Sequence, residues 1–315
     1  MADLILHQYA DSPFSEKIRA LLGYKGLAYK SVEIPAIMPK PDLTTLTGGY
    51  RRTPVMQRGA DIFCDTALIA QVIEAHKPEP SIFGGPRPAQ AVAAARWADS
   101  EFFRSCVGLV FQPAAVAANP RFKDPSAVES FIRDRAAFTA GSPGLATPLP
   151  RAQAVFREHL SNLEKTLDHH AFLGGDSPDI VDFSNWHCCW FVYRQPVLRH
   201  YFDAYASVSA WLDRLQVFSV EPMATVISGA DAIEIARNSQ PEVIDKPQID
   251  PLVELEAGAT VQVLPTDYGF QAVIGTLLVV DDKHIIIARQ DEQVGQLHVH
   301  FPRYGFEVAL AGDPA

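Results

Sequence analysis

Two serines stand where a short apolar strand gives way to a predicted helix, within the stretch Ser12-Pro13-Phe14-Ser15. Proline suits the first position of a helix, which makes Ser12 the predicted N-cap. The stretch has the register of a Cys-x-x-Cys motif in which hydroxyls replace both sulfurs. Disulfide exchange is therefore not expected, because no thiol stands at the helix start. A hydroxyl at this place can instead donate a hydrogen bond to the thiolate of a bound ligand.

A second set of candidate site residues lies in the stretch 52–69. Two short strands are predicted here, joined by a tight turn at Gly59. Pro54 cannot donate to a strand ladder, so it belongs at a sheet edge or in a cis peptide bond. Asp65 and Thr66 are favoured N-cap residue types, and the start of a helix is a site for anions. The stretch therefore predicts a hairpin that leads into an anion-binding helix.

These residues are positioned by a predicted β-α-β unit followed by a β-β-α unit. Apolar residues recur at helical spacing between Phe14 and Leu22, and Gly26 stands where a C′ glycine would end this helix. Strands are predicted on either side of it, and a polar connection rich in proline and glycine then leads to the hairpin. This is the thioredoxin-like order, and a thioredoxin-like domain is predicted for residues 1–80.

Several motifs in this order resemble the cytosolic glutathione S-transferase family in its serine-type, bacterial-like form. They are the Ser-Pro-Phe-Ser turn, the Thr-Pro-Val segment, the Asp-Thr pair and a later Asp-Ile-Val-Asp-Phe segment. In that family a cis-proline presents the next residue's backbone to the cysteinyl unit of glutathione, and an acid–hydroxyl pair holds the γ-glutamyl end. The resemblance implies glutathione as co-substrate, with Pro54, Val55, Asp65 and Thr66 as its contacts.

The resemblance also implies a catalytic role for Ser12, which matches the position of the family's catalytic serine. A charge-assisted hydrogen bond of ~1.5–3 kcal/mol and a helix dipole of ~0.3–1 kcal/mol would lower the pKa of a thiol, near ~8.5 when free, by about one to two pH units. Tyr9 is a second candidate for this role, because some classes of the family use a tyrosine.

The sequence of the loop before Pro54 differs from the commoner motif of the family, because it contains Arg51 and Arg52. Either arginine could pair with the glycyl carboxylate of glutathione, as could Lys40. Charged loop residues are often simply solvated, so the sequence leaves that end of the site open.

Residues 86–240 are predicted to form an all-helical domain, which resembles the C-terminal domain of glutathione transferases. Asp179 and Asp182 have the spacing of a capping box, with an aspartate where the family usually has Thr or Ser at the cap. Trp211 is predicted to anchor the core of this domain. Trp97 and Phe111 are candidates for the wall of an electrophile cleft.

A last helix is predicted between Pro222 and Asn238, and a linker-like segment follows it. The remaining residues, 250–315, contain five short runs rich in β-branched residues, which predict a small SH3-like β-barrel. We expect this tail to have a core of its own, so that a chain ending near Asn238 would fold. His298 and His300 alternate onto one face of a tail strand, but two histidines do not make a metal site, and no metal is expected.

The composition of the chain argues against several classes of binding partner and cellular location. The formal charge of −10 over 315 residues argues against nucleic acid or an anionic membrane surface as the main partner. Four cysteines are too sparse for a disulfide framework. The first residues do not resemble a signal peptide, and no run approaches the ~20 apolar residues that a membrane span needs. A cytoplasmic protein is the expectation.

The function implied by the resemblance is attack of the glutathione thiolate on an electrophilic small molecule, by a protein that forms a homodimer. The alternative is a non-catalytic binding or scaffold protein with the same fold. In that case the C-terminal barrel would dock a protein partner.

Overall fold

The computed structural model describes residues 3–220 and 224–312 of the chain. The N-terminal part has the predicted β-α-β and β-β-α order, with one additional short helix in the polar connection. Its elements are β1 (Ile5–Gln8), α1 (Pro13–Tyr24), β2 (Tyr29–Glu33), α2 (Pro41–Thr47), β3 (Val55–Arg58), β4 (Asp61–Cys64) and α3 (Thr66–His76). The thioredoxin-like fold predicted for this part is confirmed.

Local sequence explains where these elements begin and turn. Ser12 is the N-cap of α1, and its side chain accepts a hydrogen bond from the backbone N–H of Ser15. Gly59 has a φ of 62°, a left-handed conformation that lets β3 turn directly into β4. The Thr53–Pro54 peptide bond is cis, which is one of the two possibilities predicted for Pro54. The hairpin and the start of α1 therefore follow from short-range sequence signals.

The helical part packs against α1 and confirms the predicted helical architecture up to Val220. The predicted bounds, residues 86–240, also include a short strand at Ala224–Val226. Its helices are α4 (Pro88–Trp97), α5 (Phe103–Val110), α6 (Pro113–Ala118), α7 (Pro125–Phe138), α8 (Leu149–Leu167), α9 (Ile180–Tyr193) and α10 (Ala206–Val220). Between α4 and α5 the chain makes a π-helical turn (Ala98–Phe102). Within residues 3–220 and 224–312, no helix is long and apolar enough to cross a membrane.

The start of α9 confirms the predicted capping box. The Asp179 carboxylate accepts from the Val181 N–H at 2.9 Å, and the Asp182 carboxylate accepts from the Asp179 N–H at 3.1 Å. Asp182 also accepts from the indole N–H of Trp211 at 2.8 Å, and Trp211 is fully buried. The capping box thus ties the first turn of α9 to α10 in the core of the helical part.

The region predicted as a last helix divides into a strand and a helix. Residues 222 and 223 of that prediction lie outside the described part of the chain. Beyond them, β5 (Ala224–Val226) pairs in parallel with β2, and α11 (Gly229–Arg237) begins only after the N-cap Ser228. The open edge of β2 provides backbone partners for this segment, and that tertiary pairing overrides its local helical pattern.

The tail is rich in strands, as predicted. Its strands are β6 (Gln248–Ile249), β7 (Thr260–Pro265), β8 (Val273–Val280), β9 (His284–Asp291), β10 (Gly295–Pro302) and β11 (Phe306–Leu310). They do not stand apart from the N-terminal sheet, because β10 pairs in parallel with β4. The strand order across the whole sheet is β11-β7-β8-β9-β10-β4-β3-β1-β2-β5, with β6 beside β8. Closure of the tail into an SH3-like barrel stays a prediction.

The expectation that the tail has its own core is wrong. Ile62 of β4 and Val299 of β10 are paired in register and are both fully buried. They belong to one apolar cluster that also contains Ile5 and Val55 from the N-terminal strands and Phe301 from the tail. A tail of this size buries too little surface to be stable alone, and here it completes its core against the thioredoxin-like sheet.

Candidate functional site

Four of the residues predicted to hold a ligand lie around a cavity of about 550 Å³. A volume of this size is in the ~300–1,000 Å³ range of small-molecule sites. The thioredoxin-like part contributes Arg52, Pro54, Asp65 and Thr66 to the walls. The helical part contributes residues of the π-helical turn and of α5, and three loops of the tail complete the enclosure. All three parts of the chain therefore form the cavity.

Asp65 and Thr66 mark the N-terminus of α3 on the cavity wall. Asp65 is the N-cap, with a φ of 77°, and its carboxylate accepts from the Ala67 N–H at 2.8 Å. A non-glycine residue in this conformation is uncommon and is often found at functional sites. Burial raises the pKa of Asp65, while the Ala67 hydrogen bond and the Arg52 charge oppose this shift. The helix N-terminus and the adjacent carboxylate offer binding to an anion and to an ammonium group, respectively.

Arg52 extends into the cavity wall and is held there by the tail. Its guanidinium donates to the carboxylate of Asp267 and to the backbone carbonyl of Tyr268, and it stacks 3.9 Å from the centre of the Tyr268 ring. Its Nε atom is buried and has no hydrogen-bond partner among the described residues. Arg52 therefore keeps one buried N–H donor that no described residue accepts from.

Lys40 and Arg51 occupy different positions from Arg52. The Lys40 ammonium is buried and donates to the Arg51 carbonyl at 3.2 Å and to the Thr53 hydroxyl at 2.9 Å. Burial, reinforced by the nearby charges of Arg135 and Arg51, lowers the pKa of Lys40 to about 7. Arg51 pairs with Asp134 of α7. Neither residue lines the cavity, and both support the loop that carries Thr53 and Pro54.

Ser12 is 2% exposed and caps α1, accepting from the Ser15 N–H at 3.2 Å. It does not line the cavity, but Phe14, in the first turn of the same helix, does. Val55 is likewise buried behind the wall to which Pro54 contributes. The structure thus brings Arg52, Pro54, Asp65 and Thr66 together on the cavity, while Ser12 and Val55 are buried and do not line it.

Tyr9, the second candidate for thiolate stabilisation, lies in the loop after β1. Lys40 and Arg121 approach the face of its ring, at 5.7 Å and 5.4 Å from the ring centre. Burial raises the pKa of Tyr9, and the charges of Arg135 and Arg121 and the nearby Ser12 side chain oppose this shift. Tyr9 therefore keeps its hydroxyl proton and, like Ser12, is a hydrogen-bond donor.

The π-helical turn brings an acid to the cavity that the sequence did not indicate. Asp99 accepts from the Lys17 ammonium at 2.6 Å and lies 2.9 Å from Nε2 of His187. Burial would raise the pKa of Asp99, but the charges and hydrogen bonds of Lys17 and His187 hold it below its usual value. These three residues lie far apart in the sequence and form no local motif. A π-helical turn is frequent at functional sites but has no reliable signature in a single sequence.

Further unforeseen wall residues include Tyr50 and parts of the tail loops, among them Asp267, Tyr268 and Tyr304. Trp97 and Phe111, the candidates for an electrophile cleft, do not line this cavity. They pack within the helical part, Trp97 on Phe102 and Phe111 on Phe131. The tail loops lie beside Arg52 because of long-range contacts such as the pairing of β10 with β4, and no local sequence pattern indicates those contacts.

Comparisons with known proteins agree with this architecture. The family described as glutathione S-transferase, N-terminal domain, matches residues 6–81, and the one described as glutathione S-transferase, C-terminal domain, matches residues 128–214. A crystal structure of a GST-like protein from Pseudomonas syringae is 39% identical, with 98% of this chain and 100% of that chain covered and a TM-score of 0.80. That similarity includes the strand-rich tail. A comparison with curated proteins finds no match.

More distant solved structures share the fold. The beta-etherase LigF from Sphingobium is 18% identical, with 70% of this chain and 96% of that chain covered and a TM-score of 0.51. Glutathione transferase F2 from Populus trichocarpa is 17% identical, with 75% of this chain and 100% of that chain covered and a TM-score of 0.51. Both similarities concern the fold alone. On its two matching domains and its full-length relative, the chain belongs to the glutathione S-transferase family.

Proposed function

We propose that the protein binds glutathione in the cavity and transfers its thiolate to an electrophilic small molecule. The observation that supports this most strongly is the convergence of Asp65, Thr66 and Arg52 on one cavity. Glutathione carries an ammonium group and two carboxylates, and these residues present a carboxylate, a helix N-terminus and a guanidinium. The buried Nε of Arg52 lacks a partner among the described residues, so it becomes a further donor to an anionic ligand atom if neighbouring groups move aside.

Each residue has a distinct role in this proposal. Asp65 accepts from the γ-glutamyl ammonium, and Thr66 with the N-terminus of α3 binds the adjoining carboxylate. Arg52 binds the glycyl carboxylate while Asp267 and Tyr268 hold its guanidinium in place. The backbone of Val55, next to cis-Pro54, takes the cysteinyl unit.

Ser12 is the proposed stabiliser of the thiolate. Its oxygen already accepts from the Ser15 N–H, but its own hydroxyl proton is not needed for the cap. Donation of that proton to sulfur favours the thiolate over the thiol, and the N-terminus of α1 adds a favourable dipole. The thiolate then forms a bond to the electrophilic carbon. Either a leaving group departs from that carbon with its electron pair, or the electron pair of the broken π or C–O bond moves to a neighbouring atom, which takes up a proton.

Isothermal titration with glutathione tests the binding step. We expect saturable binding to the wild-type protein, weakened about ten-fold or more in Thr66→Ala. Thr44→Ala, on α2 and outside the cavity wall, serves as the control and should bind like the wild type. No binding heat and no thermal shift at millimolar glutathione would refute the proposal.

The burial of Ser12 favours a second candidate, a glutathione-transferase-like binding protein without turnover. At 2% exposure its hydroxyl reaches a ligand only if neighbouring side chains move aside. Glutathione binding without conjugation across a panel of aryl halides, epoxides and enones would favour this candidate. Turnover of any of them would favour the enzyme.

We further propose that the protein is a homodimer, as the family resemblance implies, and that it acts in the cytoplasm. Light scattering coupled to gel filtration measures the oligomeric state directly. A mass of about 35 kDa, that of one 34.6 kDa chain, would contradict the dimer.

A further inference from the structure

The junction between β4 and β10 carries a cluster of metal-binding residue types. Asp61 faces His298 in the parallel register, and Phe63 faces His300. Since side chains alternate along a strand, Asp61, His298 and His300 share one face of the sheet. The intervening residues, Ile62 and Val299, point to the opposite face, into the shared apolar core. The register therefore gathers two imidazoles and a carboxylate from parts of the chain that are distant in sequence.

The three side chains approach one another closely. His300 Nε2 lies 2.8 Å from Asp61 Oδ1, and His298 Nδ1 lies 3.9 Å from the same oxygen. One ligand atom from each residue fits within a group whose members are all within 4.8 Å of one another. In a tetrahedral zinc site, metal–ligand bonds of ~2.0–2.2 Å place the ligand atoms about 3.3–3.6 Å apart. The observed separations lie on both sides of this value and need only small side-chain rotations to match it.

The hydrogen bonding of the cluster leaves potential metal-ligand atoms directed toward the centre of the cluster. His298 is 6% exposed, and its Nδ1 is buried without a hydrogen-bond partner among the described residues. Asp61 Oδ2 accepts from the backbone N–H of Glu242 at 2.9 Å, which fixes the carboxylate and leaves Oδ1 turned toward the histidines. Such an outer hydrogen bond is typical of metal-binding carboxylates. An unpartnered buried imidazole nitrogen otherwise costs stability and gains nothing.

We propose that Asp61, His298 and His300 bind a divalent transition-metal ion, with Zn²⁺ as the representative ligand. Asp61 Oδ1, His298 Nδ1 and His300 Nε2 are the three protein ligands, and a water molecule completes the coordination. Imidazole and carboxylate donors suit this class of ion. The two histidines alone gave the sequence no basis for a metal site, and the structure adds the third ligand from β4.

The proposed ion fastens the tail to the thioredoxin-like sheet. Its ligands come from both strands of the junction, so that ion binding and pairing of β10 with β4 favour each other. Because the tail loops form part of the cavity wall, this ion would also hold that wall in place. The role is structural, and no step of the proposed transfer reaction passes through the ion.

Calorimetric titration of the full-length, chelator-treated protein with ZnCl₂ tests the site. We expect one Zn²⁺ per chain, at least ten-fold weaker binding in His300→Gln and Asp61→Asn, and a rise in the unfolding temperature that these variants lose. His284→Gln is the matched control, since His284 is also a tail histidine beside an aspartate, 3.6 Å from Asp281. It should bind Zn²⁺ like the wild type.

Cobalt substitution of the wild-type protein gives a second measurement that does not depend on a variant that folds. Intense visible bands of four-coordinate Co²⁺, displaced by one equivalent of Zn²⁺, are expected. The proposal is overturned if the wild-type protein shows neither bands nor stoichiometric binding. It is equally overturned if His300→Gln and His284→Gln bind Zn²⁺ with the same affinity.

Discussion

Arg52 and Asp267 form an ion pair across 215 residues of sequence, between the loop before β3 and a loop of the tail. The pair has two consequences for the site. It holds the Arg52 guanidinium at the cavity wall, and it makes a tail loop part of that wall. The tail therefore does more than extend the sheet, because it positions a residue that we propose contacts the ligand.

If Arg52 contacts glutathione as proposed, its replacement should weaken glutathione binding and leave the rate of the chemical step nearly unchanged. Arg52→Gln should raise the KM for glutathione about ten-fold or more, with a much smaller effect on kcat, because the lost contact is the same in the ground and transition states. Steady-state kinetics at saturating electrophile measure this. Arg58→Gln, which removes an exposed pair with Glu242 at 2.7 Å, is the control and should leave KM unchanged. An unchanged KM in Arg52→Gln would exclude the contact.

Removal of the Ser12 hydroxyl should affect chemistry more than binding. Ser12→Ala is expected to raise the pKa of the bound thiol and to lower turnover ~10-fold or more, the ~1.4 kcal/mol scale of one hydrogen bond. The ultraviolet absorbance of the thiolate as a function of pH reports the pKa directly. Tyr9→Phe is the companion variant. If activity survives in Ser12→Ala and disappears in Tyr9→Phe, the role belongs to Tyr9.

Lys40 should make the free energy of unfolding increase as the pH rises above neutrality. Its pKa is about 7 in the folded protein, below the usual 10.5, because of its burial. Between these two values the unfolded chain binds more protons at this residue than the folded chain does. The free energy of unfolding should therefore rise with pH from about 7 upward, with a slope approaching ~1.4 kcal/mol per pH unit from this residue.

Urea unfolding between pH 7 and about 9, below the range in which most tyrosines and lysines titrate, measures this effect. Lys40→Met removes the titrating group and should show a flatter dependence than the wild type. Lys283→Met, on the exposed turn between β8 and β9, is the control and should keep the wild-type slope. Parallel curves for wild type and Lys40→Met would mean that Lys40 stays charged in the folded state.

Short-range signals made a minor part of the site predictable. The caps at Ser12 and Asp65 and the capping box at Asp179 each depend on residues within a few positions, so their residue types indicate them. The Asp61–His300 contact spans 239 residues and depends on a strand register that no local pattern specifies. The same holds for Arg52 and its tail partners. Sequence therefore located the helix starts proposed to bind the ligand, but not the tail loops that complete the cavity wall.

Because the core is shared, we predict that removal of the tail also destabilises the thioredoxin-like part that remains. In a chain ending at Asn238, β4 becomes an open edge, and the buried face that includes Ile62 and Val55 becomes exposed to water. Arg52 also loses Asp267. We expect an insoluble or aggregated product without glutathione binding, measured by soluble yield, gel filtration and titration. Co-expression of residues 239–315 should restore solubility, since it restores the partner of β4. A soluble, monodisperse product that still binds glutathione would show instead that the tail is an independent module and that its contacts with β4 contribute little to folding.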